Sequence, residues 1–214
     1  MTDERTMTPA TFLGSAFLLL FCAVPFLWML LVSFSRNPDF LARGVPFIFT
    51  FDNYIDVIAA PSMHLLRYLG NSLLVSTLSA FFAPLFASLA AYAITRLRFP
   101  GRVLIPVLML AFSMFPQISI VWYLFKLMTS LGWINTYPAL VFPYITLGMP
   151  LALWIMLSYF SQLPKDLDRA AMIDGATRLE VLRRIIMPIA LPGAFSALLL
   201  IFIYSFNEFL FSLM

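Results

Sequence analysis

Residues 69–95 read LGNSLLVSTLSAFFAPLFASLAAYAIT, a run of 27 residues without a single charge. About 20 apolar residues are enough to cross the hydrocarbon core of a bilayer as a helix, because each residue of an α-helix rises 1.5 Å. Four more uncharged runs accompany it, at 12–35, 103–125, 127–164 and 185–207, the shortest 23 residues long. Hydrophobic residues make up 62% of the chain and charged residues 11%, against roughly 25% charged in an ordinary soluble domain. The fold class is therefore an all-α membrane protein, a polytopic helical bundle. The run 127–164 is too long for one straight span, and its first part, Thr129 to Pro138, carries turn chemistry that delays the span to about Ala139. Five spans are expected, at about 12–34, 70–94, 103–125, 139–160 and 189–213, in one transmembrane domain covering residues 1–214.

The first run is too long for a signal-peptide core and lacks a small-residue cleavage site at its flank, so it reads as a retained anchor. Cys22, the only cysteine, lies inside it, and an intramolecular disulfide is excluded. With the N-terminus inside, the inner segments hold Arg5, Arg96, Arg98, Arg102, Lys165, Arg169, Arg178, Arg183 and Arg184, and the outer segments only Arg36, Arg43, Arg67 and Lys126. Nine against four favours a cytoplasmic N-terminus by the positive-inside rule. The net charge of +3 then needs no nucleic acid to explain it.

The polar stretch 161–188 stands between the last two spans. Pro164 suits a helix start, Asp166 and Asp168 suit the positive end of its dipole, and Gly175 is a natural stop. Thr177 and Glu180 have the spacing of a capping box that opens a second helix at once. On that helix Leu179, Leu182, Ile185 and Ile186 fall on one face with Arg178, Arg183 and Arg184 on others, the pattern of a helix lying on a membrane surface. Ala170, Ala171 and Ala176 leave a smooth patch that another protein's backbone could approach, with Asp174 beside the turn. By residue chemistry alone, the stretch reads equally as a docking element and as a solvated connection.

The order Ala170-Ala171-x-x-Asp174-Gly175-Ala176, then Ile185, Pro188 and Pro192, resembles the cytoplasmic signature loop of bacterial ATP-binding-cassette importer permeases of the type I kind. Other segments are similar to the carbohydrate branch, the maltose and trehalose type: Arg67-x-x-x-Asn71-Ser72, Ala90-Ala91-Tyr92-Ala93-x-x-Arg96-x-x-Phe99-Pro100-Gly101-Arg102, and Phe206-Asn207-Glu208-Phe209-Leu210. The resemblance runs from about residue 50 onward. It implies a permease subunit of an ATP-driven sugar importer, with 161–188 as the coupling loop whose Asp168, Arg169, Ala170, Ala171, Asp174, Gly175 and Ala176 meet an ATPase. It further implies a second permease subunit, two ATP-binding-cassette subunits, an extracytoplasmic sugar-binding protein and a bacterial inner-membrane location. An amino acid, phosphate or polyamine is the alternative solute.

The family carries an acidic residue directly before the Ala-Ala pair where this chain has Arg169, leaving Asp168 and Asp166 as the neighbouring acids that could supply the charge. The family also has one more span after the point where this sequence stops, so a fragment with five of six spans is expected.

No G-x-x-x-x-G-K-[ST] phosphate loop is present. The chain is thus expected to have no catalytic residues and no cofactor of its own, with ATP bound by partners. Solute-path candidates are Asn207 and Glu208, near the outer end of the last span, and Gln117 beside Pro116, with Ser113 and Ser119 equally explicable as packing residues. His64, the only histidine, has no second ligand at metal spacing, which argues against a metal site. Asp52 and Asp56 lack a Ser, His or Lys partner for hydrolytic chemistry. Trp28, Trp122, Trp133 and Tyr137 fit interfacial anchoring. An intramembrane enzyme or scaffold carrying this loop by chance is the remaining alternative.

Overall fold

The structure is a computed structural model that describes residues 9–60 and 64–213; Arg5 of the charge count lies outside them. Its helices run α1 (Pro9–Ser33), α2 (Phe40–Arg43), α3 (Asp52–Ala59), α4 (Leu65–Arg96), α5 (Leu104–Ser113), α6 (Ile118–Ser130), α7 (Tyr137–Gln162), α8 (Asp166–Ile173), α9 (Arg178–Val181), α10 (Met187–Ile189) and α11 (Leu191–Asn207). The chain divides into two compact units, Met1–Tyr68 and Leu69–Met214.

In the first unit α1 is long and apolar enough to span. The chain after it folds back on itself: the Arg36 and Thr50 amides donate to Ile48 and Phe34 carbonyls at 3.0 and 2.8 Å. Asn53 Nδ2 donates to the carbonyls of Ser33 and Ser35, both at 2.9 Å. Phe34 packs its ring against Phe49, Phe51 and Tyr54, so this turn is held by aromatic faces and backbone pairing.

The second unit is built on α4, α7 and α11. The inward face of α4 repeats small residues every fourth position: Ser79, Ala83, Ala87 and Ala91, with Ser76, Ala80 and Ser88 on the adjoining row. Helices in lipid gain nothing from hiding apolar surface as such, so close backbone approach through small side chains is what holds them together. On α11 the buried row is Gly193, Ala197, Ile201 and Ser205, and α7 is its main partner. Two glycines mark the tightest approaches. A Cβ on Gly148 of α7 would lie 2.9 Å from Ile201 Cδ1, and one on Gly193 of α11 would lie 2.4 Å from Tyr159 Cδ2.

Two predicted spans are not single helices. In 103–125 the chain bends by 98° between α5 and α6, around Met114–Gln117. Pro116 supplies the cause: it has no N–H to donate, and its ring disfavours helical geometry at Phe115. The segment 189–213 is helical only to Asn207; Glu208 turns extended, and a short 3₁₀ turn follows at Phe211–Leu213. Upstream, the chain from Arg178 to Ile189 meets α11 at a bend of 78°. Among the described residues, three helices are therefore long and apolar enough to cross a bilayer, or up to five spans if each bent pair counts as one.

Candidate functional site

The segment between α7 and α11 folds into two short helices joined by a tight turn. Helix α8 begins at Asp166, two residues later than Pro164 allowed, with the Leu167 amide donating to the Pro164 carbonyl at 3.4 Å. Its end is closed as expected at Gly175, which takes φ +88°, a conformation that glycine adopts without the Cβ penalty of other residues. The Gly175 amide donates to Met172 O at 3.2 Å and the Ala176 amide to Ala171 O at 3.0 Å, the paired bonds of a Schellman ending.

The capping box forms as the sequence predicts. The Glu180 amide donates to Thr177 Oγ1 at 3.4 Å, and the Thr177 amide donates to Glu180 Oε2 at 2.9 Å. These Thr177 bonds, with Arg184 nearby, hold the Glu180 carboxyl below its ordinary range. Past Val181 the coil widens into one π turn at Leu182–Ile186 before Pro188.

What fixes this two-helix element to the bundle is a buried ion pair. Arg96, the last residue of α4, places Nε 3.0 Å from Asp168 Oδ2, with the two side chains 4% and 8% exposed. The guanidinium also donates from Nη2 to the Leu163 carbonyl at 3.1 Å, just past the end of α7. The short Arg96–Asp168 contact is not aligned as a hydrogen bond, and the Tyr92 hydroxyl also lies against the Asp168 carboxylate. The attraction is thus chiefly electrostatic. Arg96 joins the ends of α4 and α7 to the first turn of α8. Sequence reading missed it because its partner stands 72 positions later; charges this far apart in sequence are paired only by the fold.

Of the residues singled out on the loop, Asp168 and Ala171 point into the bundle and Ala176 is half-buried, while Arg169, Ala170, Asp174 and Gly175 are exposed. This corrects the expectation of one smooth alanine patch. Ala171 and Ala176 sit on the core side of the turn that Gly175 makes, leaving Ala170 alone outside. Asp168, expected to be a free charge for a partner, is consumed by Arg96, and Asp166 pairs on the surface with Arg169 at 2.9 Å.

The outward face instead presents Ile173, 86% exposed, and Leu179. Ile173 lies on the side of α8 opposite Asp168 and Ala171, a pattern the helical period could have revealed. The second helix differs similarly. Val181, Leu182 and Ile186 are buried and Leu179 is not, so its apolar side packs on the protein core rather than on lipid.

Among the solute-path candidates, Gln117 Nε2 donates to Tyr204 Oη at 2.6 Å. Tyr204 in turn lies within electrostatic range of Glu208 and of Tyr144, and Tyr144 donates to Glu208 Oε2 at 3.2 Å. The fold thus draws Gln117 and Glu208 into one polar cluster with two tyrosines that the sequence did not flag. Glu208 is also engaged locally, accepting the Leu210 and Phe211 amides at 3.1 and 3.0 Å. Asn207 stays outside this cluster: it is exposed and donates to the Ile203 carbonyl at 2.8 Å.

A bundle of lipid-length helices, broken twice and carrying a two-helix knob before its last span, matches a known family model. Residues 83–214 match the model described as "Binding-protein-dependent transport system inner membrane component". This chain belongs to that family. It is a multi-pass membrane protein and a transporter permease subunit.

The trehalose/maltose transport system permease protein MalG of Thermococcus litoralis is 51% identical, over 100% of this chain and 77% of that protein. The sulfoquinovosyl glycerol transport system permease protein SmoH of Agrobacterium fabrum is 35% identical, over 96% and 72%. The trehalose transport system permease protein SugB of Mycobacterium tuberculosis is 35% identical, over 90% and 70%. In fold, a bacterial ABC transporter that imports the acidic polysaccharide alginate superposes with a TM-score of 0.75 at 20% identity, covering 97% of this chain and 73% of that one.

Proposed function

We propose that this chain is a membrane subunit of an ATP-driven sugar importer and that the outer face of α8–α9 is where its ATPase partner grips it. Relatives at 35% to 51% identity are transport system permeases for trehalose/maltose, trehalose and sulfoquinovosyl glycerol, which favours sugar over an amino acid, phosphate or polyamine. The assembly would hold this subunit, a second permease lining the path with it, two ATP-binding-cassette subunits and a solute-binding protein on the outer side. ATP binding and hydrolysis belong to the cassette subunits. The α8–α9 end faces the cytoplasm together with the N-terminus, as the basic residues there favour.

The observation that carries the coupling role is Ile173. Ile173, 86% exposed, shares the two-helix knob outside the spans with exposed Leu179, and large apolar side chains presented together away from lipid mark a contact surface. Asp174, Gly175 and Ala170 surround Ile173, and Arg169 borders it. Ile173→Glu in the assembled complex is expected to leave membrane insertion and the amount of this subunit unchanged. It should strip the cassette subunits during purification, or abolish solute uptake while ATP hydrolysis continues. Full retention of the cassette subunits with normal uptake would refute the role. Uptake by the wild-type complex from a panel of disaccharides, amino acids and phosphate tests the solute class directly.

A further inference from the structure

Beside the knob lies a cleft of about 180 Å³ in which six of the nine lining residues are basic. Three chain segments contribute. Arg98 and Arg102 come from the turn between α4 and α5, Lys165 and Arg169 from the start of α8, and Arg178 from the first position of α9. The one acid on its wall, Asp168, already faces Arg96. Arg169 is shared with Asp166 across an exposed contact, and Arg102 Nη1 reaches the Leu97 carbonyl at 3.3 Å. Among the described residues, Arg98, Lys165 and Arg178 have no carboxylate within salt-bridge distance. Converging like charges without a counter-ion repel one another, so the cleft as it stands invites an anion.

The face used is not the one that carries Ile173. Lys165, just before α8, and Asp168, Arg169 and Met172 on it follow one helical stripe, whereas at 100° per residue Ile173 falls about 90° and Ala170 about 150° from its centre. The cleft also adjoins apolar surface: directly after Arg102, Val103 is exposed, as are Leu104, Val107 and Leu108 on α5. An anionic group seated among Arg98, Arg102 and Arg178 would therefore have a greasy wall beginning within one turn of it. A free anion has no use for that wall, and a phospholipid does. Basic recesses between spans at the membrane surface are of the kind that hold acidic headgroups.

We propose that this cleft binds the phosphate of an anionic phospholipid, with the acyl chains lying along the exposed face of α5. Arg98, Arg102, Lys165 and Arg178 hold the headgroup, and the ligand bridges the α4–α5 turn to the knob. The inference needs only the membrane location, and stands or falls separately from the ATPase-docking role of Ile173.

The test reconstitutes the assembled complex in vesicles of equal parts phosphatidylcholine and phosphatidylglycerol, then strips lipid with detergent and measures what remains by native mass spectrometry. Phosphatidylglycerol should be retained selectively, and Arg98→Gln with Arg178→Gln should weaken its retention about thirtyfold, at about a tenfold per 1.4 kcal/mol and about 1 kcal/mol per basic residue at the surface. Arg183→Gln with Arg184→Gln removes the same charge from the neighbouring π turn, which does not line the cleft, and should change retention little.

Equal loss in both pairs would mean diffuse surface attraction and overturn the site. Unchanged retention in the cleft pair would overturn it as well. Should the Arg178 change impair assembly, Arg98→Gln with Lys165→Gln carries the same expectation. A separate arm adds inorganic phosphate to the stripped complex: phosphate bound at the cleft without any retained phosphatidylglycerol would assign the site to a soluble anion and defeat the lipid reading. Loss of the cassette subunits from the cleft pair, with lipid retention intact, would make it a protein contact instead.

Discussion

Removing the carboxylate of Asp168 should release the knob from the bundle. Arg96 Nε and Asp168 Oδ2 are 3.0 Å apart with side chains 4% and 8% exposed. At an effective dielectric of about 20, two unit charges at that distance attract by about 5 kcal/mol. Deleting one partner of such a pair leaves the other charge buried, a change that costs about 3–5 kcal/mol. In Asp168→Ala the guanidinium keeps only its bond to the Leu163 carbonyl, and the cheapest escape is for the first turn of α8 to open and admit water. Hydrogen exchange in the assembled complex reads this directly, because local opening energies set amide protection. A loss of about 3 kcal/mol corresponds to faster exchange of the α8 amides by a hundredfold or more, at about 1.4 kcal/mol per tenfold, while the middle of α7 should hardly change.

The double variant Arg96→Met with Asp168→Leu sharpens the case. The pair lacks aligned hydrogen bonds, so its desolvation cost is incompletely offset, and replacing both partners by apolar residues of similar volume should be near neutral or stabilising. Loss of the bond to Leu163 subtracts about 1 kcal/mol. Protection of α8 in the double variant should return to within about tenfold of wild type. Exchange in Asp168→Ala within a few-fold of wild type would refute the claim that this pair anchors the loop. So would additive effects of the two single changes.

Other outcomes follow from the same geometry. Gly193→Ala should lower the thermal stability of the purified complex, since its Cβ would meet the Tyr159 ring at 2.4 to 2.8 Å and overpacking costs about 1–3 kcal/mol. Gly148→Ala meets the Ile201 side chain, most closely its terminal Cδ1 at 2.9 Å, and gains up to about 1 kcal/mol of helix propensity, so its midpoint should fall less than that of Gly193→Ala; equal losses in both would be wrong for this packing.

Glu180, whose carboxyl the Thr177 bonds hold low, contributes capping that is fully present above the ordinary glutamate range and is lost as pH falls through its lowered value. The extra hydrogen exchange at residues 178–181 in Glu180→Gln, relative to wild type, should therefore shrink as pH falls below that range. Glu208→Ala strands two backbone amides and the Tyr144 hydroxyl, at about 1–3 kcal/mol for a buried group left unpaired. Residues 210–213 should exchange faster, and a solute KM unchanged in the surviving complex would mark Glu208 as an anchor rather than a solute contact.

Much of this could be read along the chain because it depends on neighbours in sequence. Gly175 closing α8 and Thr177 capping α9 are decided within four residues, and both are found as expected. The helical segments are equally local, since charge-free length suffices. What escaped depends on contacts between distant positions. Nothing in the order of residues assigns Asp168 to Arg96, or Tyr204 to Gln117. The bend at Pro116 escaped for a different reason: proline frees a backbone carbonyl and weakens the helix, yet whether the chain kinks slightly or turns by 98° is decided by what packs on either side. The alanine patch failed because adjacent positions 170 and 171 lie about 100° apart around the helix, and the turn at Gly175 brings Ala176 back to the core side with Ala171, which helical counting does not show.

The connections of the knob bear on how force could cross this subunit. A load applied at Ile173 enters a helix of eight residues with no flexible stretch behind it. Its first turn is clamped to the end of α4 by Arg96, the same guanidinium holds the carbonyl after α7, and its last turn runs through the Schellman bonds directly into α9. From α9 the path continues through buried Val181, Leu182 and Ile186 to α11, whose glycine contacts interlock it with α7. The weak point is the π turn at Leu182–Ile186 together with the 78° bend before α11. There the helix is widened, and a change of angle costs least in broken hydrogen bonds. A stroke at the tip would therefore move α8 and the inner ends of α4 and α7 as one piece, with any rotation of α11 taken up at that bend. Pro192, at the start of α11, has no N–H to carry the helix through that bend; replacing it with alanine should leave the tip anchored and the proposed ATPase contact intact, yet slow solute uptake per ATP hydrolysed, and an unchanged ratio would place the hinge elsewhere.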